Sequence, residues 1–211
     1  GVEVTTSGFI SAGGTLIVTV LGTGASLYKC FAIGVHINGG TITSLGGNVS
    51  VTGQGGGTGT ARSNYGVHLE SSGLLSAGGA GTVTVRGTGG TGTDGGNEGI
   101  KLTGSAITSA NGNISLTGQA GGMSTSSRNR GIILEEASRV AAGGTGSVTV
   151  EGTGSSSTES YNYGVQIDNL TCEITTNNGN IRIIGQGGQG LPSVFANSTG
   201  NTGVGLSGSV T

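Results

Sequence analysis

The sequence has no tryptophan, a single proline, two cysteines and 3% aromatic residues in 211 positions. Each shortage removes a class of protein. Two cysteines cannot staple a disulfide framework. Charged residues make up 9% of the chain, against the quarter usual for a soluble domain. The eight basic residues are scattered and the net charge is -2. That leaves neither the basic footprint that nucleic acid needs nor a polybasic patch for an anionic membrane. No apolar run approaches the ~20 residues that span a bilayer, so no membrane insertion is expected. The chain begins on Gly1 and not on methionine, which reads as a mature end or as a piece of something longer.

What is present is glycine, at 49 residues, alongside 32% hydrophobic residues. Collagen is excluded because the glycines follow no strict three-residue period. Disorder is disfavoured because the chain is poor in charge and rich in Val, Ile and Thr, which suit strands.

The apolar residues recur in register. A Gly followed by two apolar residues spaced by one opens each unit, at Gly1, Gly34, Gly66, Gly99, Gly131, Gly164 and Gly203. The separations are 33, 32, 33, 32, 33 and 39 residues. Odd units carry Ser-Ala-Gly-Gly or Ala-Ala-Gly-Gly and then Val-Thr-Val, as at Ser76–Gly79 and Val83–Val85. Even units carry Asn before the third apolar pair and end in Gly-Gln, as at Asn113 and Gly118-Gln119. The true period is a pair of units, 65 residues long. Each unit holds up to three short alternating strands. The second lies around Ile10, Ile42, Leu75, Ile107, Val140 or Ile174, and Gly- and Asn-rich links supply the turns.

A strand with two inward side chains cannot bury them alone, and stacking copies solves that. The expected fold is all-β, a right-handed parallel β-helix (β-solenoid) of about six coils of 32–33 residues, one repeat domain over residues 1–211. The right hand is the default for parallel crossovers. A β-propeller would need four antiparallel strands per unit and aromatic signatures. A β-sandwich would need no 65-residue register. Two inward stacks are predicted. Val2, Val35, Val67, Ile100, Ile132 and Val165 form one, and Val20, Val51, Val85, Leu116, Val150 and Ile183 the other. The chain opens on a regular strand and stops early in a seventh unit at Gly203–Thr211. The expectation is therefore a segment of a longer array, or of a filament in which copies meet end to end.

After the third strand each unit has a long Gly/Ser/Thr/Asn-rich arm, at 21–33, 52–65, 86–98, 117–130, 151–163 and 184–202. The arms hold all four tyrosines, Phe31, Phe195 and several cations, Lys29 and Arg62 among them. Tyr28, Phe31, Tyr65, Arg86, Arg128, Arg130, Tyr161 and Tyr163 are the candidate interaction face. The alternative is that the arms fold back as further β structure and their aromatics cap the core.

The alternation of Ile10-Ser11-Ala12-Gly13-Gly14 with Gly47-Asn48-Val49-Ser50-Val51-Thr52-Gly53-Gln54 resembles repeat arrays of very large bacterial surface and secreted proteins, in the style of filamentous haemagglutinin and autotransporter passengers. The resemblance covers nearly the whole chain and is one of repeat style, without a diagnostic motif. It implies a right-handed β-helix, an extracellular or cell-surface location, and a role in adhesion or in holding other domains away from the cell. Host or neighbouring-cell glycans or proteins would be the partners.

Catalysis is not expected. Glu135 and Glu136 alternate faces of one strand. Glu70 and Glu135 lie two coils apart, roughly 10 Å, which makes no working pair. A carbohydrate-active or glycan-binding β-helix is the competing class, weakened by few aromatics and unclustered charge. No cofactor is expected. His36 and His68 fall in register in successive coils, where stacked imidazoles can hold a metal. The next coil offers Lys101 in that register and no third ligand, so the expectation is two solvent-facing strand residues and no metal. Thr93-Asp94-Gly95-Gly96-Asn97 occurs once and makes no calcium repeat. The glycosylation pattern at Asn48, Asn113, Asn169 and Asn197 carries little in a chain this rich in Asn, Ser and Thr. Cys30 and Cys172 stand four coils apart, beyond the 7 Å reach of a disulfide, and no intramolecular bridge is expected.

Overall fold

The structure is a computed structural model that describes residues 1–26, 28, 31–189 and 201–211. Twenty short strands and no helix are found among them. They form two parallel sheets of seven strands and one of six, each built from every third strand in chain order. That is a β-solenoid of about six turns. Val35, Val67, Ile100, Ile132 and Val165 pair in one continuous register. Val51, Val85, Leu116, Val150 and Ile183 pair in another. The middle strands align Ile10, Ile42, Leu75, Ile107, Val140 and Ile174.

All three columns point inward, and almost every member is buried. Val2, Ile10 and Ile183, in the outermost coils, are partly buried and pack on the same core. Neighbouring coils are one strand spacing apart, about 4.8 Å, so each Val or Ile meets its equivalents above and below. Size varies along a column and apolar character does not, as expected where burial itself is the driving force.

The 33/32 alternation has a local cause. Odd coils spend one more residue on the turn between second and third strands: 143–147 separates Arg139–Ala142 from Val148–Thr153, whereas 110–113 separates Ala106–Ser109 from Ile114–Gln119. The third and fifth coils also spend one more on the first turn and one fewer on the arm than the second and fourth.

The third strands run three residues further than the Val-x-Val motif implies, to Thr23, Gln54, Thr88, Gln119, Thr153 and Gln186. Their Gly53, Gly87, Gly118 and Gly152 form an inward column facing the glycine that opens the next coil. A Cβ on Gly87 would strike the carbonyl oxygen of Gly99, and one on Gly118 that of Gly131. This double glycine column is a waist. On one side lies the apolar prism of three sheets; on the other the arms stack into a second compartment with no strand among the described residues.

That second compartment is polar and buried. Asn64, Asn97, Asn129 and Asn162 are fully buried, each two residues ahead of an opening glycine. The Asn97 backbone N–H donates to Asn129 Oδ1 at 3.0 Å, and the Asn129 N–H to Asn162 Oδ1 at 3.0 Å. The side-chain amides continue the chain. Asn64 Nδ2 donates to Asn97 Oδ1 at 2.8 Å, Asn97 Nδ2 to Asn129 Oδ1 at 3.1 Å, and Asn129 Nδ2 to Asn162 Oδ1 at 3.0 Å. The ladder is closed by the Ala32 N–H on Asn64 Oδ1 and the Asn162 N–H on Asn201 Oδ1. The residue before Ala32, Asn64, Asn97, Asn129 and Asn162 sits at positive φ: Phe31, Ser63, Gly96, Arg128 and Tyr161. Four of these five carry a Cβ, a strain of about 1 kcal/mol or more each, which the ladder offsets by turning each Asn inward.

Candidate functional site

The arms contain two zones of interest. On the outer side of the arm stack, Arg62, Ser63, Thr93, Asp94, Arg128 and Arg130 line a polar hollow of ≈ 500 Å³. The Arg128 guanidinium lies 5.6 Å from the Tyr161 ring centroid, a cation–π contact. Arg130 reaches the other way: Nη1 meets Glu98 Oε1 at 3.1 Å, and Nε donates to Gln166 Oε1 at 2.7 Å. The Asp94–Asn97 turn, which only distantly suggests a calcium loop, serves the ladder instead. Asn97 Nδ2 donates to the Asp94 carbonyl at 2.7 Å.

The candidate interaction face is therefore divided. Tyr28, Phe31, Arg86 and Arg128 are exposed. Tyr65 and Tyr163 are buried and offer little surface. Arg86 belongs to the third-sheet strand Val83–Thr88, in register with Thr52 and Thr117, and not to an arm. Arg128, Arg130 and Tyr161 come together at one place, and Phe31 and Tyr65 line a hollow at another. Lys29, Phe195, Asn197 and Cys30 lie outside the described residues, and with them the Cys30–Cys172 separation. Cys172 is buried in the core, and burial pushes its thiol up.

The second zone is the outward face of the first sheet, where alternation predicts open solvent. The structure corrects this. The outward column runs Glu3, His36, His68, Lys101, Ile133 and Gln166. The last residues of four arms fold over it: Tyr65, Glu98, Arg130 and Tyr163. Ile133 is 1% exposed and His68 only 6%. His68 is covered because the Tyr65 ring meets it edge-on, centroids 4.8 Å apart. His36 stacks on its other side, centroids 5.2 Å apart and planes within 4°. Lys101 Nζ lies 5.5 Å from the Tyr65 centroid and bonds Glu135 Oε1 at 2.6 Å. No family model, curated protein or solved structure matches the chain, so these residues are read from their geometry alone.

A third group for the histidines does exist. Sequence register looks along the column, to Lys101; the group comes instead from the same strand. Glu70, two residues after His68 and hence on the same face, puts Oε1 2.8 Å from His36 Nε2 and Oε2 3.8 Å from His68 Nε2. Glu3 Oε1 lies 3.3 Å from His36 Nδ1. Neither ring nitrogen of His68 has a hydrogen-bond partner. Burial first, then the neighbouring His36 and Lys101, lowers its pKa to about 3, so this imidazole is neutral at neutral pH.

Glu98 is the other buried charge, 2% exposed. Burial pushes its carboxyl up, and Arg130 and Lys101 oppose that only in part. Its Oε2 has no partner.

Proposed function

We propose that the protein is a non-catalytic scaffold, a segment of an extracellular surface fibre, stalk or adhesin of the bacterial haemagglutinin-like style. The observation that carries this is the direction of the side-chain order. The apolar columns, the asparagine ladder and the ion pairs Lys101–Glu135, Arg130–Glu98 and Arg182–Glu151 all join one coil to the next. Such an object is stiff along its axis and extends without limit by adding coils. Catalytic sites converge side chains on one concavity; here they are spent on axial cohesion. Further repeats of the same chain, or copies of it end to end, are the proposed neighbours.

The polar hollow with Arg62, Arg128 and Arg130 favours a second reading, an arm face that binds acidic glycans of host or neighbouring cells. A screen of the chain against acidic and neutral polysaccharides, following both cleavage and binding, separates the readings. The scaffold alone gives neither. A binding face gives saturable binding that Arg128→Ala weakens. Cleavage of any polysaccharide refutes the non-catalytic reading.

A further inference from the structure

We propose that His36, His68 and Glu70 form a divalent-metal site of the zinc-binding kind, clamping the second coil to the third on the outer face of the first sheet. The donor atoms of the three side chains all lie within 4.8 Å of one another. A tetrahedral zinc ion with bonds of about 2.0–2.2 Å holds its ligand atoms roughly 3.3–3.5 Å apart. Glu70 Oε1 at 2.8 Å from His36 Nε2 and Oε2 at 3.8 Å from His68 Nε2 straddle that span, and the widest separation, within 4.8 Å, closes if the two stacked rings tilt toward each other.

Three features beyond proximity point to a cation. His68 is a buried imidazole with both nitrogens orphaned. A buried polar group without a partner is costly, and a metal on Nε2 removes that cost. His36 is flanked by carboxylates on both nitrogens, Glu3 at Nδ1 and Glu70 at Nε2. Glu3 can hold Nδ1–H, which leaves Nε2, now hydrogen-bonded to Glu70 Oε1 at 2.8 Å, as the nitrogen a metal would share with Glu70. A carboxylate holding the far nitrogen is also how metal-bound histidines are usually oriented. The site is reachable, because it opens on a hollow of ≈ 270 Å³ that Phe31, Tyr65 and Lys101 also line. The nearby Lys101 does not oppose the metal on balance. It is bound to Glu135, and with Glu3 and Glu70 the neighbourhood carries three carboxylates to one ammonium.

Two imidazoles and one carboxylate select a borderline ion such as Zn²⁺ over Ca²⁺ or Mg²⁺, which prefer all-oxygen cages. The fourth position faces the hollow and takes water. On this reading the metal fastens coils together and performs no chemistry. It is independent of whether the arms bind glycans.

The test is calorimetric titration of the untagged, chelator-stripped full chain with ZnCl₂, alongside the visible absorption of its Co²⁺ complex. The expected result is one Zn²⁺ per chain, a tetrahedral Co²⁺ band, and a melting temperature that rises with Zn²⁺ concentration. His68→Phe, which fills the same space without ligand atoms, and Glu70→Gln should each abolish the band and the one-to-one binding. Glu3→Gln, which leaves all three ligands in place, should weaken binding by about 10–100-fold. His36→Asn serves as the second ligand variant should His68→Phe fold poorly, since His36 is the more exposed of the two. Absence of stoichiometric Zn²⁺ binding by the parent chain overturns the proposal. So does binding that survives unchanged in Glu70→Gln and His36→Asn.

Discussion

The two compartments on either side of the glycine waist solve one problem by opposite means. Each must hold a coil in register with its neighbours. The three-sheet prism does it with non-directional burial: Val67, Ile100 and Ile132 share a column although their shapes differ. The arm compartment does it with directional bonds, and there the residue hardly varies: Asn64, Asn97, Asn129, Asn162 and Asn201 repeat the same amide. Burial accepts any side chain that is apolar and about the right size. A hydrogen-bonded ladder accepts only a group that donates and accepts at the same rung, and asparagine does both. Inside this chain, then, variation within a column measures how directional the holding force is.

The largest way to break the comparison is to put the wrong chemistry in the prism. Val85 is fully buried with apolar partners on both sides in its column, Val51 and Leu116. Val85→Asp should cost about 4–5 kcal/mol, because no group there can pair a carboxylate. The damage should spread to the coils above and below. Val85→Ile adds one methylene and should cost about 1 kcal/mol, the low end of overpacking, because Leu116 and Ile183 already fit the same column. Thermal melts of the two variants against the parent measure both. An aspartate variant that melts with the parent would mean that the column is open to water.

A subtler substitution breaks the other compartment. Asn129→Asp is nearly isosteric, yet it deletes the donor that serves Asn162 Oδ1 and Ser126 Oγ. It also places a charge among buried amides. We expect a loss of about 3 kcal/mol at neutral pH, partly regained in acid when the new carboxyl is protonated. Amide hydrogen exchange locates it: the N–H groups of Asn97 and Asn129 should lose protection before the prism strands do. If Asn129→Asp were as harmless as Val85→Ile, the ladder would be packing and not bonding.

The same contrast decides what the sequence makes legible. The prism could be read from residues alone, since strand alternation and a 65-residue period put Val, Ile and Leu in columns whose meaning is only that they are apolar. The ladder could not, although its signal was present: an Asn two places ahead of the opening glycine at 64, 97, 129, 162 and 201. Within a Gly- and Ser-rich arm such an Asn reads as a turn residue, and nothing local says that it turns inward. His68 failed for a related reason. Alternation places it outward, and outward is open water only where no other chain segment returns. Here Tyr65, three residues earlier, returns over it. Glu70 was hidden because a repeat directs attention along the column, to Lys101, when the nearest group on that face lies two residues on in the same strand.

Glu98 sits at the seam, between the ladder rung Asn97 and the opening Gly99, and gives the smallest expected effect. Its carboxyl is buried and its pKa raised, chiefly by that burial, despite Arg130 at 3.1 Å. The sign follows from linkage. Below the ordinary glutamate pKa of 4.5, folded and unfolded chains are both protonated and the group contributes fully. As pH rises through that value the unfolded chain ionises more readily than the folded one, so stability is lost with rising pH until the folded group has also titrated. Glu98→Gln keeps an acceptor for Arg130 and removes the titration. It should therefore match the parent in acid and exceed it modestly at neutral pH. Urea unfolding across pH 3–8 reads the difference. A glutamine variant less stable than the parent at neutral pH would show that the Arg130 pair outweighs burial, and that the seam is held by charge.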